Sequence, residues 1–328
     1  MSGGELPGSL AELAALGARL RDAGLTARAL AAWAGTDRIA ALPPRLEALP
    51  VRSPTPAAAI LALLVGGAEL ERQSLAGRGA LIDELAARGL VEVAGGAVRA
   101  TVAVVPIGRG LLVCDRLDAP VERDLVCWPD DSSHHLATAI PPGRRETWLD
   151  LGCGSAFAAL ARPELAARIA GIDLNARAVR YARLGAALSG IAHLTAEHGD
   201  AGAPHPAADL VTCNAPIPDG TALGAAIPEL WRRADPGMFD RLWPALARAA
   251  VPGGTIVVHA AVDAMLPALA DAAGERVVVT YTPPTVRGFA IAWWRPDAAP
   301  RLAITRRALT PERPHLEPVD RDDALARS

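Results

Sequence analysis

Four apolar runs in this sequence each end on a polar group of the kind that holds ligands. Asp150 follows Thr147-Trp148-Leu149 and opens Asp150-Leu151-Gly152-Cys153-Gly154-Ser155-Ala156, and Asp173 closes Arg168-Ile169-Ala170-Gly171-Ile172. Asp200 follows His198-Gly199, and Asn214 follows Ala208-Asp209-Leu210-Val211-Thr212-Cys213. Carboxylates accept hydrogen bonds from ligand hydroxyls and amines. Glycines let the backbone approach a ligand closely, while a following helix start offers free N–H groups. Asp173 lies 23 residues beyond Asp150, close to the roughly 20-residue offset at which an acid reaches ribose hydroxyls in nucleotide folds. A Gly-x-Gly turn after a strand is shared by dinucleotide binders, but those do not require an acid ahead of the glycines. Taken alone, Asn214-Ala215-Pro216-Ile217 reads as a turn with a prolyl stop.

These groups need a scaffold that lines up strand ends. From about Asp118 strands and helices alternate, the pattern of a mostly parallel α/β sheet whose ligand crevice lies beyond the carboxyl ends of the strands. Four successive strand ends in register with a glycine turn point to one pocket. Downstream, Phe239 to Ala250 reads as a helix and Gly253 to Val258 as a fifth strand. Arg276 to Tyr281 and Phe289 to Trp294 read as a final hairpin.

Upstream, residues 8–34 read as two amphipathic helices broken at Asp22 and Gly24. Thr55-Pro56 is a helix start ahead of Ala57 to Leu64, and Gly79 to Arg88 is a further helix. A hairpin on Gly95-Gly96 follows. Helix, helix, hairpin is the order of a winged helix, which serves either to recognise a substrate or nucleic acid or simply to pack against its neighbour. Arg78 and Arg88 stand beside Asp83 and Glu84, little charge with which to grip a duplex. Val102 to Val105 and Leu111 to Cys114 read as a second strand pair. The division expected is residues 1–117 as this N-terminal domain, 118–297 as the catalytic domain and 298–328 as an extension that is either a strand-and-tail cover or partly disordered.

Composition bounds the possibilities. The 328 residues are 51% hydrophobic and 21% charged, enough apolar material for a sizeable core, and aromatics are only 4%. Net charge is −3 and every basic residue is Arg, which counts against a protein living by non-specific phosphate contacts. Cys114, Cys127, Cys153 and Cys213 have neither C-x-x-C nor Cys/His spacing, so no metal site is expected and the thiols read as reduced packing residues. The start of the chain lacks a signal-peptide pattern, and the most apolar stretch, 57–66, is too short to span a bilayer. A cytoplasmic location is the expectation.

Together, D-L-G-C-G-S-A, G-I-D-L-N, H-G-D-A and C-N-A-P resemble the motif set of class I S-adenosylmethionine-dependent methyltransferases, over roughly Arg123 to Arg295. The likeness is to amino-methyltransferases with an Asn-Pro-Pro-Tyr-type loop, including the release-factor glutamine and small-base ribosomal RNA guanine methyltransferases. The resemblance implies an α/β fold: a seven-stranded, mostly parallel Rossmann-like sheet with an N-terminal helical, winged-helix-like domain. It further implies that Gly152, Cys153 and Gly154 wrap the methionine part of S-adenosylmethionine and that Asp150 helps to hold its amino group. Asp173, with Leu174 beside it, would take the ribose hydroxyls. Asp200 would take the adenine amino group, with the Ala201 N–H facing the ring. Asn214, Ala215 and Pro216 would form the catalytic loop, in which the Asn214 side-chain oxygen and the carbonyl after it accept the N–H groups of a planar nitrogen and aim its lone pair at the methyl, with Asn214 also among the cofactor-binding residues.

The sequence departs from that loop at two positions. Ala215 replaces a proline but still supplies a carbonyl. Ile217 replaces an aromatic, so nucleobase stacking worth about 1–3 kcal/mol is missing, which weakens the RNA reading most. Trp231 or Trp243 could substitute, although core packing is the plainer role for both. His134 and His135 border the expected substrate entrance, as a base, a contact to the donor's carboxylate or a structural helix start. A helix is expected over Leu136 to Ile140, capped by Asp131 or Ser132. The other histidines, His259 among them, show no pattern that assigns them a role. The implied partner is a methyl acceptor, with a protein or peptide favoured over RNA or a small metabolite. The altered loop also fits a cofactor-binding scaffold without turnover.

Overall fold

The computed structural model describes residues 6–48, 58–120, 122–217, 237–282 and 288–309. The N-terminal part opens on α1 (Leu10–Asp22) and α2 (Ala27–Ala34). Ser9 and Glu12 cap α1 reciprocally, and Gly35 closes α2 in a left-handed conformation. After α3 (Leu42–Ala48) come α4 (Ala59–Leu64), β1 (Leu70–Glu71), α5 (Gly79–Ala87), β2 (Val91–Ala94) and β3 (Ala97–Ala100). The Thr55-Pro56 helix start lies outside the described residues. Gly95 and Gly96 both take positive φ in the β2–β3 turn, and β1 joins the hairpin in the order β1–β3–β2. With two residues, β1 is too short to show a period in the sequence. Next, β4 (Ala103–Ile107) and β5 (Gly110–Cys114) pair antiparallel, with every residue of both buried.

The second part begins with α6 (Asp131–Ala139), β6 (Arg145–Leu151), α7 (Phe157–Ala161), β7 (Ala166–Asp173), α8 (Ala176–Ser189), β8 (Leu194–His198) and β9 (Ala208–Asn214). It continues with α9 (Met238–Ala249), β10 (Ala250–Ala261), α10 (Val262–Ala270), β11 (Glu275–Thr282), β12 (Phe289–Arg295) and β13 (Arg301–Ala308). Helix α6 starts five residues before the expected Leu136. Its cap is Asp130, whose carboxylate accepts the Ser132 and Ser133 N–H groups at 3.0 and 3.3 Å.

One sheet runs β13-β11-β12-β10-β9-β6-β7-β8. Strands β8, β7, β6, β9 and β10 are mutually parallel, and β12 runs antiparallel between β10 and β11. Among the described residues the sheet therefore has eight strands rather than seven. The eighth, β13, comes from the segment expected to be an extension and pairs in parallel with all of β11, from Glu275↔Arg301 to Thr282↔Ala308. Its Arg-rich sequence carries no apolar alternation, because only Ala303 on it is buried.

Period-two alternation divides the strands between two apolar layers. Leu149, Leu151, Val211, Ile256 and Val258 pack with Leu242 and Leu246 of α9 and with Met265 of α10. Trp148, Leu210, Val257, Val277 and Val279 face the opposite way, toward α6, α7 and α8. The same cluster takes in α1, α4, β4 and β5, so the N-terminal elements and the sheet share one continuous core. Two glycines allow close approaches in it. A methyl on Gly17 of α1 would sit 1.7 Å from the Leu188 carbonyl oxygen of α8, and one on Gly185 of α8 would sit 2.9 Å from the Leu111 carbonyl oxygen.

Candidate active site

The glycine turn is built from β6 and β7 together. The N–H groups of Gly152 and Cys153 donate to the Ile172 carbonyl at 2.8 and 3.0 Å, so the turn doubles back onto the end of β7. Gly152 and Gly154 take φ of +71° and +54°, and the space around a Cβ on either is empty to 4 Å. A side chain at either position would meet nothing, so it is the positive φ and not crowding that calls for glycine, and both backbones stay open to approach. Gly171 leaves room for the Cys153 thiol, so Cys153 turns its side chain into the sheet and offers only backbone outward. Ala156 holds φ +62° at the start of α7, where a third glycine would be unstrained.

Asp173 is fixed by two backbone donors. Gly154 N–H reaches its Oδ2 at 2.7 Å and Asn175 N–H its Oδ1 at 2.8 Å. Burial raises its pKa, against the pull of these two N–H groups. Each oxygen keeps a lone pair for a further donor. Beside it Leu174 is 53% exposed, an apolar surface next to a carboxylate at a strand end. Behind this corner, buried Asp115 accepts from Arg177 at 2.6 Å, from Tyr181 at 3.0 Å and from Val126 N–H at 2.7 Å. That cluster ties the segment leading to α6 onto the first turns of α8.

Asp150 is buried at the end of β6, opposite Thr212 of β9. The Thr212 hydroxyl donates to its Oδ1 at 2.5 Å and accepts from Trp148 Nε1 at 2.7 Å. Burial raises Asp150 to about 7, the Thr212 hydroxyl opposing and the Asp173 charge adding. The folded-state pKa thus lies above the usual unfolded value, so this group's contribution to stability is present at low pH and lost as pH rises through 7. Between pH 6 and pH 8 the wild type should lose about 1.4 kcal/mol relative to Asp150→Asn, read by denaturant titration of both proteins. Parallel pH dependences would contradict this placement. A cation at Asp150 would relieve the same cost, which suits the amino group of a cofactor.

Asn214 ends β9 directly beside His259 of β10 in the strand register. Alternation places Asp150, Thr212, Asn214, His259 and Tyr281 on the face that looks toward α6. Asn214 Oδ1 accepts from His259 Nδ1 at 2.9 Å, and Asn214 Nδ2 donates to Ser132 Oγ at 2.8 Å. Ser132 Oγ donates in turn to Asp130. His259 Nε2 lies 2.5 Å from the Tyr281 hydroxyl, which lies 3.0 Å from His135 Nδ1. Burial pushes His259 down to about 4, with the Asp130 charge opposing, and burial pushes Tyr281 up. Phe289 stacks on His259 with ring centroids 5.5 Å apart. This cluster of Ser132, His259 and Tyr281 went unassigned in the sequence. The one available signal was His259 at the end of the fifth strand, one register step from Asn214.

The other residues singled out fall as follows. Asp200 is exposed, its carboxylate accepting Gly202 N–H at 2.8 Å, and Ala201 is buried behind it. Ala215 is buried and donates its N–H to the His259 carbonyl at 2.8 Å, while Pro216 and Ile217 are half-buried. His135 is buried against Tyr281 rather than set at an entrance, and His134 is partly exposed. Trp243 is buried in the second core and stacks on Phe239, and Trp231 lies outside the described residues. Among the described residues no helix is long and apolar enough to cross a membrane.

Residues 143–275 match the family model of the methyltransferase domain. No curated protein matches the chain. Similar solved structures include a predicted O-methyltransferase from Agrobacterium tumefaciens, at 18% identity and a TM-score of 0.40, covering 54% of this chain and 85% of that one. Another is an S-adenosylmethionine-dependent methyltransferase from Geobacter sulfurreducens in complex with S-adenosylhomocysteine, at 26% identity and a TM-score of 0.28. That match covers 40% of this chain and only 48% of the Geobacter one. A third is the N-methyltransferase NodS from Bradyrhizobium japonicum, at 18% identity and a TM-score of 0.36, covering 50% and 93%. The glycine turn, its flanking acids and Asn214 all fall inside residues 143–275, and those residues form a methyltransferase domain.

Proposed function

We propose that this enzyme methylates a planar nitrogen on a protein or peptide side chain. The observation that carries the reading is Asn214, held at the end of β9 on the same face as Asp150, two strand-ends away from Asp173. The donor supplies a methyl that is already electrophilic on a sulfonium sulfur. The chain's own task is therefore positioning. Gly152, Cys153 and Gly154 cradle the methionine part and Asp150 receives its amino group. Asp173 receives the ribose hydroxyls, with Leu174, Asp200 and Ala201 around the base. Asn214 and the carbonyl of Ala215, with Pro216 stiffening the turn, accept the N–H groups of the methyl acceptor. Ile217 offers no aromatic face to a nucleobase, and two of the arginines around α5 are already engaged. Arg72 pairs with Asp83 at 2.6 Å and Arg88 with Glu84 at 3.4 Å. Both favour a peptide over RNA and suit a winged-helix-like N-terminal domain that packs rather than grips a duplex.

Methyl-labelled donor incubated with a fractionated extract tests this. Label is expected in the protein fraction, as an N-methylated side chain after hydrolysis. Label confined to RNA or to small molecules would replace the acceptor class. A scaffold without turnover is the rival reading, since both ends of the Asn214 amide are already bonded within the protein. Tight donor binding with no label transferred to any fraction would establish it.

A further inference from the structure

We infer that Ser132, His259, Tyr281 and His135 are positioning residues, forming a one-directional hydrogen-bond chain that fixes which way the Asn214 amide faces. The inference rests on Asn214 being the group that receives the acceptor's N–H. A carboxamide turned end for end fills the same space, so its shape does not choose an orientation; its partners do. The choice begins at Asp130. Its Oδ1 accepts the N–H groups of Ser132 and Ser133 at the start of α6 and so acts as an acceptor. The Ser132 hydroxyl hydrogen is directed to that oxygen, which leaves Ser132 Oγ as an acceptor toward Asn214.

The amide nitrogen must then face Ser132, and the amide oxygen must face His259. An oxygen there requires a hydrogen on His259 Nδ1. In a neutral ring this leaves Nε2 with a lone pair, so the Tyr281 hydroxyl donates to it across 2.5 Å. Tyr281 Oη then accepts from His135 Nδ1 across 3.0 Å. Each direction follows from the one before it, and no single member could be reversed without setting donor against donor or acceptor against acceptor. The members come from α6, β9, β10 and β11, and three of them, Asn214, His259 and Tyr281, are brought together by the shared face of the sheet. Reversing the amide would turn N–H toward the acceptor's N–H and abolish the aim of its lone pair.

Nitrogen-15 NMR of histidine-labelled full-length protein reads the chain directly, with His259→Asn identifying the resonance. His259 should carry its hydrogen on Nδ1, with Nε2 unprotonated. Tyr281→Phe removes the donor to Nε2 and should give a mixture of tautomers. Its methyl-transfer rate should fall by about tenfold or more while S-adenosylhomocysteine affinity stays within about twofold of wild type. Ser132→Ala should lower the rate alike, and Ser132→Thr, which keeps the hydroxyl, should restore it. Asp130→Asn keeps an acceptor oxygen for the two N–H groups and should leave the tautomer unchanged. A hydrogen on Nε2 in the wild type, or a Tyr281→Phe enzyme with wild-type rate and a single Nδ1–H tautomer, would overturn the inference. A normal rate in Asn214→Ala would instead remove the reading on which it rests, with the NMR pattern intact.

Discussion

Asp173→Ala is expected to weaken S-adenosylhomocysteine binding by about 100-fold or more, measured by calorimetry on the full chain. The carboxylate is anchored on both oxygens by backbone N–H groups, from Gly154 at 2.7 Å and Asn175 at 2.8 Å. Anchoring removes its freedom before a ligand arrives, so the remaining lone pairs are already aimed outward. Two charge-assisted bonds to ribose hydroxyls, at about 1.5–3 kcal/mol each, account for a loss of that size. Alanine also strips the glycine turn and the start of α8 of their acceptor, which adds to the effect. Asp173→Asn separates these contributions. It keeps one acceptor oxygen but lacks the charge, and its affinity should fall between the two. Wild-type affinity in Asp173→Ala would show that the cofactor sits elsewhere.

Gly17→Ala should destabilise the fold by about 3 kcal/mol or more. On an isolated helix the same change would add about 1 kcal/mol of stability through helix propensity, so the sign of the result is itself diagnostic. In the folded chain the new methyl meets the Leu188 carbonyl oxygen at 1.7 Å, backbone against backbone-bound atom, where no rotamer change gives relief. Helix α1 would have to lift from α8, exposing Leu13, Leu16 and Leu20, all fully buried here. Denaturant titration gives the loss of stability, and limited proteolysis should cut first near α1. A neutral or stabilising effect would contradict the α1–α8 packing.

The strand-end groups were legible because each is local. Asp150, Asp173 and Asn214 all close apolar runs that a reader can count along the chain. The glycine turn was legible for the same reason, since one tripeptide serves both the turn and the cradle. The cluster around Asn214 was not, because its members lie 82, 45 and 67 residues from it, at Ser132, His259 and Tyr281. They meet only once the strand order places β10 beside β9 and α6 across their face. The C-terminal segment stayed open between a strand-and-tail cover and partial disorder because an edge strand with one buried residue, as β13 is, has no apolar signature. Helix α6 was started late because Asp130, Asp131 and Ser132 are all competent caps, and only the geometry selects the first. The Asp150–Thr212–Trp148 chain was hidden in plain strand sequence, where a buried Thr reads as packing.

Methyl transfer by Asn214→Ala, measured beside wild type at saturating labelled donor, tests the account most directly. Both proteins should bind S-adenosylhomocysteine with similar affinity, because the Asn214 side chain bonds to Ser132 and His259, while Asp173 is held by Gly154 and Asn175. Label transfer should fall by about 100-fold or more in the variant, the scale of losing a positioned hydrogen-bond acceptor at the reacting atom. Transfer at the wild-type rate would show that Asn214 does not orient the acceptor.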